Sequence, residues 1–386
     1  MGILANSASI CQFHLQGVTP EEDLYAWASE RLAKNRFRPI DQSAEELSAG
    51  WVHVDDFRLA SFDSPADFQR DHYLVFSLRC DRRRIPATLF KAHLRKAEED
   101  FLSANPGFHK VPKQKKEELA EAVRGDLLSR TLPTPSLYDV VWDTRSGKVL
   151  FASLGTKAVE LFEVLLKQTF DGARLIPVHP FSRAREVLPP RLLPNLEQAD
   201  RASSEAVLDQ IQGNSWIGTD FLLWLMYRSM NEGQSFLVSR EGPGGVGDDF
   251  AAYLDDRLIL QGEGENGRQK ITVTGPQDHF DEVLTALQHG KEISEAVLYL
   301  EKKEDIWKMS LKGETFHFAS LRTPSVQLEK DEAVDPEMER QAVFFEKMAL
   351  LEECFQLFDS LYAAFLEERF SPDWGEKESA IKQWIG

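Results

Sequence analysis

Apolar and polar positions in this chain alternate between a two-residue and a 3.6-residue rhythm, and their order predicts an α+β protein interrupted by a helical insertion. Residues 7–17 read as a strand. The stretch 20–34 opens with Pro20-Glu21-Glu22-Asp23 and reads as a helix with acids in its first turn, where the macrodipole favours them. Short strands are expected near 51–56 and 73–79, the second carrying Tyr73-Leu74-Val75-Phe76-Ser77-Leu78. A helical excursion over about 86–130 follows. Strands at 138–143 and 148–153 then flank Thr144-Arg145-Ser146-Gly147, a hairpin turn with glycine where a positive φ is needed. A helix over 156–170 closes the unit.

Beyond it, Pro177, Pro180, Pro189, Pro190 and Pro194 crowd one stretch, so 176–200 reads as a linker or irregular arm. A second α+β unit is expected over 205–325. It contains a buried helix segment at Phe221-Leu222-Leu223-Trp224-Leu225-Met226-Tyr227. Strands at 251–261 and 269–274 bracket the turn Gly262-Glu263-Gly264-Glu265-Asn266-Gly267, a helix is expected at 277–289, and strands at 296–301 and 306–311 follow. A long helix over about 336–370 starts at Pro336, a favoured first-turn residue. On this helix Phe344, Met348, Leu351, Phe355, Phe358, Tyr362 and Phe365 form one apolar line, and Val343, Leu350, Leu357 and Leu361 a second. Two lines suit either a fully buried core helix or a dimer contact, and the helix is placed near such a contact. The resulting domains are 1–84 with 132–180, the inserted finger 85–131, the arm 181–204, the second α+β domain 205–325 and a helical segment 326–386.

Composition is that of a folded globular chain, with 42% hydrophobic and 28% charged residues over 386 positions. No apolar run approaches the roughly 18 residues that a membrane span requires. The N-terminal residues lack the basic and apolar regions of a signal peptide, and Gly2 with Ser7 does not fit myristoylation spacing. Cys11, Cys80 and Cys354 are too scattered for a disulfide framework, which points to a reducing cytoplasm.

Catalytic motifs are tested and set aside. Gly242-Pro243-Gly244-Gly245-Val246-Gly247 matches the dinucleotide glycine pattern after an apparent strand at 236–239. Asp248, Asp249 and a strand-like run follow it, where a phosphate site needs a helix N-terminus, so it reads as a loop. Nine histidines lie scattered without metal-ligand spacing, and His53 near Asp55 and Asp56 reads as edge-strand polarity. No serine sits in a nucleophile-elbow pattern. The strongest enzymatic alternative is a metal-dependent nuclease using Asp278, Glu301 and Lys303, since period-two alternation would put Glu301 and Lys303 on one face. The commoner reading of that E-x-K is a solvated strand end. No catalytic residue, metal ligand or cofactor is therefore assigned.

Charge changes the picture. The whole chain carries −18, yet residues 81–131 hold twelve cations against eight acids, a balance of +4 that leaves −22 for the remainder. The first finger helix should run from Pro86 to about Ser103 on a stripe of Phe90, Leu94, Ala97 and Phe101. Asn105-Pro106-Gly107 breaks it, and the second should start at Pro112 on Leu119, Val123 and Leu127. Each has one narrow apolar face, so the two should pair as an antiparallel hairpin whose surface is mostly wet. Arg95 with Glu99, Lys96 with Asp100 and Lys113 with Glu117 could close i,i+4 pairs and merely solvate it. Against that, Arg82, Arg83 and Arg84 precede the first helix, and Lys110, Lys113, Lys115 and Lys116 crowd the start of the second. The helix dipole opposes cations there by roughly 0.3–1 kcal/mol each, whereas a phosphate would be favoured by both the cations and the free N–H groups. The expected DNA contacts are Lys91, Arg95, Lys96, Lys110, Lys113, Lys115, Lys116 and Arg124, with Arg83 and Arg84 at the finger base. A protein-interaction module whose finger docks an acidic partner is the alternative to DNA.

These residues also carry a family resemblance. Arg84-Ile85-Pro86 through Lys113-x-Lys115-Lys116, then Asp126-Leu127-Leu128, resembles the finger of the RdgC family. Trp142-Asp143-Thr144-Arg145-Ser146-Gly147-Lys148 with the helix after it, and upstream Phe37-x-Pro39 with Gly50-Trp51-Val52, resemble its neighbouring blocks. The match extends over about 36–180 and is diffuse beyond 215. The resemblance implies a nucleoid-associated bacterial protein whose homodimer closes a positively lined ring around DNA and limits loading of the RecA recombinase, without catalysis or cofactor. This chain would be a long, divergent member with added sequence around 181–250. It has Leu132-Pro133-Thr134-Pro135 where relatives carry an aromatic suited to wedging between bases.

Overall fold

The computed structural model describes residues 2–17, 20, 23–43, 45–264, 267–275, 280–326 and 336–386. In chain order the elements begin with strand β1 (Ser7–Gln16), helix α1 (Leu24–Lys34), and strands β2 (Leu47–Val52), β3 (Gln69–Arg70) and β4 (Tyr73–Arg82). The finger helices α2 (Ala87–Ala104) and α3 (Lys113–Arg130) follow, then β5 (Thr134–Asp143), β6 (Lys148–Phe151), α4 (Thr156–Thr169) and β7 (Arg174–Pro177). Next come α5 (Pro180–Val187), α6 (Leu193–Gln198), α7 (Val207–Gly213), α8 (Ser215–Asn231) and β8 (Ser235–Leu237). The chain continues through β9 (Asp249–Gly264), β10 (Gly267–Thr274), α9 (Asp281–Gln288), β11 (Glu292–Lys302), β12 (Asp305–Lys312) and β13 (Phe318–Arg322). It ends on α10 (Pro336–Arg369) and α11 (Trp374–Ile385). The class is α+β, as the pattern predicts. The expected helix start at Glu21 and Glu22 lies outside the described residues, as do Glu265 and Asn266 of the β9–β10 turn. Helix α1 begins after Asp23, whose carboxylate accepts from the Ala26 amide.

The chain divides into two compact units. The first comprises residues 17–145 and 160–173. Its strands run β5-β4-β2, all antiparallel, with β3 folded onto the start of β4. Trp51, fully buried, is the centre of its core. The indole donates to Thr169 Oγ1 at 2.7 Å and meets Phe76 edge-on, with centroids 4.9 Å apart. Phe37 and Trp51 are tied backbone to backbone by the Phe37 amide on the Trp51 carbonyl, 2.9 Å. A Cβ on Gly50 would penetrate the Phe37 backbone, so only glycine allows that approach. The pattern Phe37-x-Pro39 with Gly50-Trp51-Val52 is therefore a packing motif. Strand β2 lies at 47–52 rather than 51–56 because its register with β4 (Leu47 opposite Arg82, Val52 opposite Ser77) fixes it.

The second unit comprises residues 1–16, 146–159 and 174–386. Its strands run β10-β9-β11-β12-β13-β1-β6, with β7 on β1 and β8 on β9. Helices α8 and α10 supply a dense aromatic core in which the Phe221 ring lies 5.4–5.9 Å from those of Phe316, Phe358, Tyr362 and Phe365. Leu351, Leu357, Leu361, Phe358, Tyr362 and Phe365 are all fully buried. Both apolar lines of α10 are thus largely taken up inside its own unit, which removes the ground for placing this helix at a dimer contact. The stretch expected as a linker or arm carries α5 and α6, with Phe181 and Ala184 fully buried and Arg183 bonded to Asp359 and Gln12. Pro180 opens α5 at its first turn and so does not break it.

Candidate nucleic-acid interface

The finger is a hairpin of two 18-residue helices, and α2 has no buried residue at all. Phe90, Leu94, Ala97 and Phe101 are only half-covered, as the narrow stripe predicts; on α3, Leu127 and Leu128 are buried near its C-terminal end. Lys116 Nζ joins the helices by pairing with Glu98 at 2.9 Å. Near the tip Phe108 lies 5.9 Å from Phe101 and stays 49% exposed beside Lys110. Sequence reasoning missed this exposed aromatic; its place directly after Asn105-Pro106-Gly107 was the available signal.

Neither finger helix has a side-chain cap at its N-terminus. Pro86 and Pro112 occupy the N-cap positions, no side chain bonds the first amides, and no acid lies in either first turn. Three cations, Lys113, Lys115 and Lys116, occupy the first turn of α3. The local fold thus places positive side chains beside unsatisfied N–H groups, an arrangement opposed by the dipole.

The ion pairing is partial. Of the three expected i,i+4 pairs only Arg95–Glu99 closes, at 2.9 Å. Lys115 instead pairs with Glu118 at 2.8 Å, and Arg124 grips Glu46 in a bidentate pair with both bonds at 2.8 Å. Among the described residues no ion pair involves Lys91, Lys96, Lys110, Lys113 or Arg84. All five are exposed.

Arg83 corrects the expectation placed on it. At the end of β4 the chain alternates, so Arg82 and Arg84 face solvent while Arg83 is 4% exposed. Its guanidinium donates to the carbonyls of Ile40 (2.7 Å), Asp41 (3.1 Å) and Ser43, and its own amide bonds Glu46 O at 2.9 Å. Arg83 anchors the strand leading into the finger and presents nothing to a phosphate. Leu132, after the finger, is 80% exposed.

Of the nuclease constellation, Glu301 and Lys303 do not share a strand face. Asp278 lies outside the described residues. Glu301 accepts from the Tyr253 hydroxyl at 2.5 Å, and Lys303 sits in the tight β11–β12 turn with φ of +58°. That turn breaks the strand alternation on which the shared face depended. The neighbouring Lys302 is buried and held by Glu353 (2.9 Å) and Asp248 (3.0 Å). No cluster of three metal-ligating side chains occurs among the described residues. The glycine pattern at 242–247 is a loop pinned to α10, with the Gly244 amide donating to Gln356 Oε1 at 2.7 Å. Its glycines serve that close approach, since a Cβ on Gly242 or Gly244 would meet the Gln356 side chain. Among the described residues no helix is long and apolar enough to cross a membrane, and the three cysteines are free.

A family model described as "Putative exonuclease, RdgC" matches residues 20–201, a span that contains the whole finger. No curated protein matches the chain. The matched span includes the glycine-dependent Phe37–Trp51 packing, the strand anchored by Arg83 and the basic hairpin. The match spans 182 of the 386 residues, and over residues 20–201 the chain is similar to the RdgC family.

Proposed function

We propose that this protein binds duplex DNA through its phosphates, with little preference for base sequence, using the finger as the principal contact. In this reading it acts as a homodimer that closes a ring around the duplex in the nucleoid, limits RecA-dependent recombination, and catalyses no reaction. The observation that carries it is the uncapped, acid-free N-terminus of α3, whose first turn holds Lys113, Lys115 and Lys116. Folding alone favours acids there, so a phosphate is the partner that turns an unfavourable local field into a favourable one.

Lys91, Lys96, Lys110, Lys113 and Arg84 lead the contacts, because they have no carboxylate to give up. Arg95, Lys115, Lys116 and Arg124 follow, each exchanging an exposed ion pair of about 0–1 kcal/mol for a phosphate. The acidic remainder of the chain would repel DNA, confining it to the basic element. Mobility shifts across salt, with Mg²⁺ or with EDTA, test the reading. Sequence-independent binding of intact DNA in both supports it. Degradation in Mg²⁺ that stops in EDTA would transfer the assignment to a nuclease, and absence of any shift at low salt would transfer it to an acidic protein partner.

A further inference from the structure

We infer that the cleft between α8, the α9–β11 turn and α11 is a binding site for a small primary amine carried on an apolar body. The inference is independent of the DNA reading, since the described walls of the cleft all belong to those elements and to the start of β11, within the second unit. From α11 the cleft is lined by Trp374, Glu378, Ile381, Lys382 and Ile385, which recur at helical spacing and form one face, apolar at three positions. Of these only Ile381 is buried. Trp374 and Ile385 stay partly open, because the face looks onto a gap of about 340 Å³. Protein interiors rarely leave gaps larger than a water molecule, and pockets that take small ligands begin near about 300 Å³.

The gap is held open from both ends of α11. Lys377 Nζ bonds both carboxylate oxygens of Glu232, at the end of α8, at 2.7 Å. At the other end Gln288 of α9 donates to the Ile385 carbonyl. The facing wall presents Leu223, Leu287 and Ile293, so α11 spans an apolar gap without closing onto it.

The polar groups select the ligand. Asp220 stands in the wall with Oδ2 bonded to Arg369 Nε at 3.1 Å, and its Oδ1 has no partner among the described residues. Thr219 spends its hydroxyl proton on the Trp216 carbonyl at 2.9 Å and keeps only acceptor capacity. In the turn the amides of Gly290 and Lys291 are already given to the Leu287 and Ala286 carbonyls, at 2.9 and 3.1 Å. Arg369 is committed to Asp220, and Lys382 to Glu378 at 2.6 Å. Lys291 and Glu292 are unpaired among the described residues and offset each other in charge. What distinguishes the cleft is therefore a free carboxylate oxygen amid apolar side chains, and burial raises the Asp220 carboxyl above its ordinary pKa despite Arg369. An ammonium supplies the missing donor in a charge-assisted bond, while its hydrocarbon body fills the gap. A carboxylate ligand would have to displace Asp220 from Arg369.

The test titrates the full chain with hexylamine, 1-hexanol and hexanoate in a calorimeter. Hexylamine should bind saturably and about tenfold tighter than hexanol, the margin of a charge-assisted over a neutral hydrogen bond, with hexanoate weakest. Asp220→Asn should bring hexylamine to the hexanol level without weakening hexanol. Leu287→Trp, which fills the gap from a half-buried position, should abolish binding of both. No saturable hexylamine binding below about 10 mM overturns the inference, as does hexanoate binding as tightly as hexylamine. Hexylamine binding that persists in Leu287→Trp is general attraction to an acidic chain and overturns it too. Circular dichroism checks the fold of both variants. If Asp220→Asn unfolds because Arg369 loses its partner, the three-ligand comparison and Leu287→Trp still decide.

Discussion

Replacing Arg83 by alanine should destabilise the unit that carries the finger and leave the finger's intrinsic phosphate contacts in place. The guanidinium is nearly inaccessible and spans the carbonyls of Ile40, Asp41 and Ser43, while its Nε is buried without a partner. Truncation removes the charge-assisted donor from the buried Ile40 carbonyl, which keeps the Ser43 amide (3.0 Å) and hydroxyl (3.3 Å), and weakens two partly wet acceptors, at about 1.5–3 kcal/mol for the charge-assisted bond and less for the others. Relief of the charge's own desolvation offsets part of this. The net loss should be about 2–4 kcal/mol. For a unit of this size that is a fall in Tm of about 5–12 °C. Differential scanning fluorimetry would read the shift, and DNA affinity would be measured well below the new Tm. Arg84→Ala, one residue on and exposed, should do the opposite, with Tm unchanged and DNA affinity reduced. If Arg83→Ala melts like the wild type and binds DNA as weakly as Arg84→Ala, the buried-anchor argument is wrong.

Other consequences can be read independently. A Cβ on Gly218 would penetrate the Gly313 carbonyl, so Gly218→Ala should force α8 away from its neighbour and cost about 1–3 kcal/mol in urea unfolding. Burial lowers both His179 and His317 to a pKa of about 4, so the folded state binds fewer protons than the unfolded chain between about pH 6.5 and 4. Stability supplied by their neutral forms should be complete above pH 6.5 and fall as pH drops towards 4, by up to about 3 kcal/mol per group; His317→Gln should flatten that part of the profile. Lys302→Met should cost about 1–3 kcal/mol in chemical denaturation, because it leaves the part-buried Glu353 without its cation, whereas exposed Asp248 returns to water.

What the sequence disclosed follows from where local rules suffice. The finger helices, β1 and α10 were legible because their periodicity is long and their ends carry proline or turn residues. Strand β13 and helices α7 and α11 were not: β13 is short, and one of its two partners, β1, comes from the other end of the chain. The proline-rich stretch misled because proline breaks a helix only in its interior; at Pro180 it starts one. The basic run at the finger base looked uniform, yet Arg83 differs from Arg84 by the side of a strand end on which it falls. Charge counting cannot separate an anchor from a contact there, whereas the alternation of β4, had it been carried past Arg82, would have.

The measurement that bears most directly on the central claim is the salt dependence of duplex DNA binding by the wild-type chain and by K113A/K115A/K116A, each with its Tm determined. With about six phosphate contacts, log K against log salt should have a slope near −5, with little change on altering base sequence. The triple variant should flatten that slope by about two to three units and keep or slightly raise its Tm, because the removed cations oppose the α3 dipole. An unchanged slope with an unchanged Tm would show that the finger is only a solvated hairpin, and the DNA-binding account built on it would fail.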